Sequence, residues 1–234
     1  MAKYLIVNAD DFGYARGINQ GILTAHAQGV ILSTSLIVDA PCAADAAIQA
    51  RECPNLGVGL HFAATNEYMP LFDIEDLGLV RKELDRQYQR FYELLGARPT
   101  HLDSHHHIHL REQLKPLFQA WAEAHGLVLR GMGQVFYNGK FYGQWYDENW
   151  HPHAAPEYIS FEGLEKILRS LPDSITELAC HPGYVTHDLD SSYRVERAIE
   201  LATLLDPRCL ALMQELDIKL INFAGLSSKI HLLT

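Results

Sequence analysis

The chain has 234 residues, 48% of them apolar and 21% charged, with a formal net charge of -10. That length suits one large α/β domain, and the composition is that of an ordinary soluble enzyme. The acidic balance excludes nucleic acid and anionic membrane as main partners, because phosphate binding calls for a basic face.

The first element is an apolar run over 3–8, a buried parallel strand, and it ends on Asp10-Asp11. Residues 18–28 carry apolar positions at helical spacing with Gly29 as a stop. Strands over 33–38 and 57–61 flank a helix over 43–51, and a long helix covers 77–95. Residues 100–104 form the next strand and lead into His105-His106-His107-Ile108-His109. A helix over 114–125 closes at Gly126, and 127–130 returns as a strand. Residues 134–153 are rich in glycine and aromatics and lack a period. A helix over 161–171, a strand over 175–180, helices over 195–205 and 207–215 and a strand over 219–223 complete the chain. Strands alternating with helices imply parallel βα units. About seven are counted, so the expected fold is a distorted TIM-like (β/α) barrel in a single domain over 1–234.

Cys42, Cys53, Cys180 and Cys209 are scattered and form no Cys-x-x-Cys pair, as expected of reduced thiols. The chain enters a strand with no charged and apolar leader, and no apolar run has the length of a membrane span. The expected location is cytoplasmic, away from membranes.

Four polar clusters fall at the C-terminal ends of predicted strands: Asp10-Asp11, His61, Asp103-Ser104-His105 and His181. In a βα barrel those ends share one face, where active sites are built. At period two, His101, Asp103 and His105 point to one side of their strand, so His101 and Asp103 are candidates to orient ligands. Adjacent carboxylates repel, and burying them calls for a cation or hydrogen bonds. A carboxylate with two imidazoles suits a divalent metal with open positions, and Asp11, His61 and His105 are the ligand set of choice. Asp10 is left as the base on a water, and His181 as the general acid or a stabiliser of developing charge. His107 is a candidate for substrate contact, while His106 and His109 read as packing or solvent-side groups. The aromatics from Phe136 to Trp150 suit either a sugar platform or a packed surface loop.

Together, Asn8-Ala-Asp-Asp-Phe-Gly13, Gly59-Leu-His-Phe62, Thr100-His-Leu-Asp-Ser-His-His-His-Ile-His109 and Cys180-His-Pro-Gly-Tyr184 resemble the YdjC-like carbohydrate deacetylases, which include the chitooligosaccharide deacetylases. The resemblance runs from the first strand to Leu220-Ile-Asn-Phe223. It implies metal-dependent removal of acetyl from an N-acetylated mono- or oligosaccharide, with the metal on Asp11, His61 and His105 and the base on Asp10. The family's metal is magnesium, whereas the imidazole-rich set by itself favours zinc or another transition ion. One departure is the stretch between His61 and His101, shorter than in the chitooligosaccharide enzymes. A homodimer is compatible with such a barrel, though no residue argues for it.

Two other functions fit less well. A phosphoesterase would need several cations to clamp phosphate, and the motifs have near them only Arg16, Arg111 and Arg130. A catalytically silent sugar-binding protein would not need a base beside a metal. Serine hydrolysis lacks a Gly-x-Ser-x-Gly elbow.

Overall fold

The structure, a computed structural model, describes residues 3–149 and 151–226. In chain order its first half comprises β1 (Lys3–Phe12), α1 (Arg16–Gln28), β2 (Ser33–Leu36), α2 (Ala43–Arg51), β3 (Gly57–Phe62), α3 (Leu77–Leu95), β4 (His101–Ser104), α4 (Lys115–His125) and β5 (Val128–Leu129). There follow β6 (Val135–Asn138), β7 (Gln144–Tyr146), β8 (Pro152–Ala154), α5 (Phe161–Arg169), β9 (Ile175–Cys180), α6 (Val195–Leu204), α7 (Pro207–Glu215) and β10 (Ile218–Leu220). The expected βα alternation is present.

The main sheet runs β5-β4-β3-β2-β1-β9-β6, with β10 also on β1, and every pairing in it is parallel. Ten-residue β1 is its centre. It pairs along its length with β9, while its other edge is shared end to end by β10 at Lys3–Leu5 and β2 from Asn8 onward. The sheet is a curled, incomplete barrel: among the described residues no ladder joins β5 to β6. Strand β6 lies in the stretch that showed no sequence period, because its side chains alternate neither in burial nor in polarity. Trp150, the end of the aromatic stretch, lies outside the described residues. Among the described residues no helix is long and apolar enough to cross a membrane.

Alternation along each strand sorts side chains between helix layer and lumen. Leu5, Val7 and Ala9 of β1 join the core beneath the helices, with Ile18 and Ile22 of α1. Tyr4 and Ile6 point the other way, into a small apolar floor with Val135, Ile175 and Phe223. The same parity carries Asn8 and Asp10 up the lumen, where the lining turns polar. Leu60 and Leu102 pack outward in β3 and β4, leaving His61, His101 and Asp103 inside. In β9, Leu178 and Cys180 pack outward and Glu177 inward.

Low in the lumen, the buried ring of His101 stacks on Phe223 at a centroid distance of 3.9 Å. Gly59 of β3 makes room for it: a Cβ there would lie 2.3 Å from Cε1 of His101. Between the Phe223 ring and the β3 backbone, the imidazole has nowhere to go. Gly59→Ala is expected to cost about 3 kcal/mol and to lower Tm by roughly 6–12 °C, measured by thermal unfolding. Adding His101→Ala is expected to recover part of that loss. Equal Tm for Gly59→Ala and wild type would contradict this packing.

Candidate active site

The Asp pair sits on an irregularity. The register between β1 and β2 shifts between Ala9 and Phe12, and Asp11 has φ 67°, a left-handed conformation that a residue with a Cβ adopts only at a cost. His106 and His107, just beyond β4, have φ of 53° and 51°. Of the four non-glycine residues with positive φ among the described residues, three therefore border one cavity, where such strain is characteristic of a built site. The local twist sends Asp10 and Asp11 to different partners.

Asp11 accepts a 2.7 Å bond from Nη2 of Arg197 on one oxygen. Its other oxygen, Oδ1, lies 3.4 Å from Nε2 of His61 and 3.1 Å from Nδ1 of His105. Burial works against the Asp11 charge, but Arg197 and the two histidines hold its carboxyl well below the usual range. His61 gives its Nδ1 proton to Asp103 at 2.7 Å, which turns Nε2 toward Asp11. A ring protonated only at Nδ1 would then face a carboxylate with a bare lone pair, so a second proton or a cation belongs between them. Burial alone would push His61 down, and the charge of Asp103, with the hydrogen bonds the ring gives to Asp103 and Asp11, pushes it up to about 10.

These three residues fit a divalent ion. Ligand atoms about 2.1 Å from one centre are separated by about 3.0 Å at octahedral and about 3.4 Å at tetrahedral angles. The observed 3.1 and 3.4 Å span that interval. Asp11, His61 and His105 also have ligand atoms within 4.8 Å of one another. Asp103 stands where a carboxylate orients a ligating imidazole.

Asp10 belongs to a different network. Arg130 grips it with two bonds of 2.6 Å, and Asn8 donates to it at 2.9 Å. The same guanidinium reaches Asp103 at 2.8 Å and Glu177 at 2.7 Å, all with side chains 2% exposed or less. Burial raises each of these carboxyls, but the Arg130 charge together with its hydrogen bonds lowers Asp10, and the Arg130 charge together with His61 lowers Asp103. Glu177 has a weaker share of the cation, and burial pushes it up to about 7.

His181, at the end of β9, brings Nε2 to 3.7 Å from Oδ2 of Asp10. Burial pushes its ring down to about 4, so it is neutral at physiological pH. His107 also lines the cavity, sharing a hydrogen bond of 3.0 Å with the Tyr137 hydroxyl. His106 is exposed and bonds Thr65, and His109 is buried against Ser104. His101 is too low to line the cavity, whereas Asp103 orients His61.

The cavity has a volume of about 720 Å³. Asp10, Asp11, His61, His105 and His181 form its chemical end, and Glu67, Arg111, Tyr142, Tyr146 and Tyr193 are among the rest of its wall. The sequence reading had not singled out Glu177, Arg197 or Glu200. Glu177 had a signal, a lone carboxylate at an inward position of an apolar strand. Arg197 and Glu200 also left a trace, two charges on the side of α6 that carries buried Leu201 and Leu204.

An α/β barrel whose strand ends gather two carboxylates and three histidines around one cavity is that of a hydrolase-type site with a candidate metal centre. The profile of the YdjC-like protein family matches residues 4–215, and the chain belongs to that family. It is 35% identical to a carbohydrate deacetylase of Geobacillus stearothermophilus, over 95% of this chain and 98% of that one. It is 34% identical to a chitooligosaccharide deacetylase of Serratia marcescens, over 97% and 100%. A solved structure from Enterococcus faecalis V583, named for cellobiose-phosphate cleavage, superposes with TM-score 0.79 at 27% identity, over 97% and 99%. The fold alone extends to a family 4 carbohydrate esterase of Streptomyces lividans, with TM-score 0.56 at 15% identity over 93% and 91%.

Removing the shared cation would strand three buried carboxylates. Arg130→Met is expected to destabilise the protein by about 3–5 kcal/mol, read by urea unfolding, whereas Arg208→Ala, at an exposed ion pair, should shift the transition far less. An Arg130→Met protein of wild-type stability would contradict the network.

Proposed function

We propose that this protein is a metal-dependent hydrolase that removes acetyl groups from N-acetylated sugars, chitooligosaccharides among them. The observation that carries this reading is the division of the Asp pair. Asp11 faces His61 and His105, while Asp10 faces His181 across the same cavity. The deacetylase relatives, aligned over nearly their whole lengths, support it. A volume of about 720 Å³ is in the range of sites for extended small molecules.

Asp11, His61 and His105 would hold the ion. When bound there, a divalent ion polarises the acetyl carbonyl and lowers the pKa of a nearby water. Magnesium follows from the family resemblance, and zinc or another transition ion from the two imidazoles. Arg130 keeps Asp10 ionised: among the described residues Oδ1 accepts from Asn8 and from Nη2 of Arg130, while Oδ2 accepts one bond, from Nη1 of Arg130, and keeps accepting capacity toward His181. Asp10 takes the proton of the attacking water as the C–O bond forms. His181 is neutral at rest, so the proton it delivers comes from Asp10 over the 3.7 Å gap. It passes to the sugar nitrogen as the C–N bond breaks, and acetate and a free amine leave. His107 stands on the same wall as a substrate contact, oriented by Tyr137.

The phosphoesterase alternative fares worse. Arg130 is committed to three buried carboxylates and Arg197 to Asp11, so neither is free for a phosphate.

Acetate release from N-acetylated sugars that stops with chelator and returns with metal is the expected result, and release unaffected by metal stripping would overturn the scheme. Asp11→Asn should lose bound metal. Asp10→Asn should keep it and lose about two to four powers of ten in kcat, and the reverse pattern would exchange the two roles. The ion must also displace the proton held on His61. Because that proton titrates at about 10, loading near pH 8 should release about one proton, with affinity rising about tenfold per pH unit. Calorimetry in two buffers of different protonation enthalpy counts that proton, and a buffer-independent heat would show that His61 is already neutral when the ion binds.

A further inference from the structure

The ring of His181 lacks the usual support of a general acid. Among the described residues its buried Nδ1 has no hydrogen-bond partner, and its Nε2 faces Asp10 at a non-bonded 3.7 Å. Among the described residues no carboxylate bonds the ring from behind, yet the residue sits where a proton must be placed to a fraction of an ångström. What holds it is its main chain. Glu200 of α6 accepts the His181 backbone N–H at 2.5 Å. One turn earlier on the same helix, Nη1 of Arg197 donates to the His181 carbonyl at 3.4 Å, while its Nη2 holds Asp11 at 2.7 Å. The next peptide lacks an N–H, being that of Pro182, and Gly183 then donates to the Arg197 carbonyl at 3.1 Å.

We propose that Glu200 is a positioning residue for His181, fixing the acid through its peptide group and through the aromatic wall that confines its ring. This rests on the acid role given to His181 above. Glu200 is wholly buried and accepts on both oxygens: the His181 N–H on Oε2, and the Tyr193 hydroxyl on Oε1. Tyr193 in turn accepts from the Gly143 N–H at 2.7 Å and stacks on Tyr142, with centroids 4.5 Å apart and planes 9° from parallel. Both tyrosines meet the His181 imidazole edge-on, at 5.4 and 5.7 Å. One carboxyl group thus sets the height of the histidine on its strand and the wall against which its ring turns. A buried carboxyl is costly to keep, and burial pushes this one up to about 8. A helix that only needed to pack would carry an apolar side chain there.

The test is a double-mutant cycle on deacetylation of an N-acetylated sugar, with bound metal and folding checked for each protein. Glu200→Leu is expected to lower kcat by about 10- to 100-fold, with KM within threefold and metal content unchanged. Glu200→Gln keeps an acceptor and should recover most of the loss. It also completes the cycle if the Leu protein does not fold. In the His181→Ala background either Glu200 substitution should cost less than threefold, because a group that acts through the histidine has nothing left to position. The same loss with and without His181, or a loss confined to KM, would overturn the inference and leave the acid role standing. A His181→Ala enzyme with wild-type kcat would instead overturn the acid role itself.

Discussion

One guanidinium in the lumen decides most of what the rest of the barrel can be. Arg130 is 1% exposed and is shared by Asp10, Asp103 and Glu177, which come from β1, β4 and β9. Three carboxylates this deep would repel one another and shed their charge without it. With it, they tie together strands far apart in sequence at the height where an ideal barrel would carry apolar layers. The floor below can stay apolar, and the rim above can be charged, because this layer absorbs the electrostatic mismatch between them. Its composition is also what lets Asp103 serve twice, as partner of Arg130 and as orienter of His61.

Two arginines thereby separate two adjacent carboxylates. Arg130 holds Asp10 from below, within the lumen, and Arg197 holds Asp11 from α6. A regular strand would also point neighbouring side chains to opposite faces, and would bury Asp11 among the apolar side chains under the helices. The positive φ at Asp11 and the register shift beside it return that side chain to the rim. Backbone strain here has a definite product: both carboxylates border one cavity while each keeps its own cation.

The sequence was most informative where chemistry sits on strand ends. The spacing of His101, Asp103 and His105 puts them on one side of their strand, and the ends of the runs at 57–61, 100–104 and 175–180 bring His61, His105 and His181 to one rim, as in the structure, with His101 lower in the lumen. The first strand runs on past the 3–8 run to Phe12, so Asp10 and Asp11 lie within its irregular C-terminal end. The hidden part is the set of groups that neutralise and position. Arg130 closes a two-residue strand and looks like any polar strand terminus. Arg197 and Glu200 sit in a helix whose remaining buried positions are ordinary, and only the fold brings that helix over His181 and Asp11. Strand β6 was missed because Val135-Phe-Tyr-Asn138 alternates in neither burial nor polarity, so neither strand template could match it.

The division between strand-borne and loop-borne residues also explains how one scaffold can keep its chemistry and change what it accepts. Asp10, Asp11, His61, His105 and His181 are fixed by backbone positions at the ends of β1, β3, β4 and β9. Glu67, Arg111, Tyr142 and Ser191, which line the rest of the cavity, come from the segments between elements. The segment after β3 is cross-tied to the one before α6, by Tyr68 to Asp190 at 2.7 Å and by Ser191 to Glu67 at 3.2 Å. The Tyr68 tie joins exposed groups and the other joins a buried Ser191 to a half-buried Glu67, both between loops, so lengthening either segment would reshape the wall without moving a strand. A change of length between His61 and His101 would therefore alter the wall of the cavity while the lumen network, and with it the placement of both aspartates, stayed as the strands dictate.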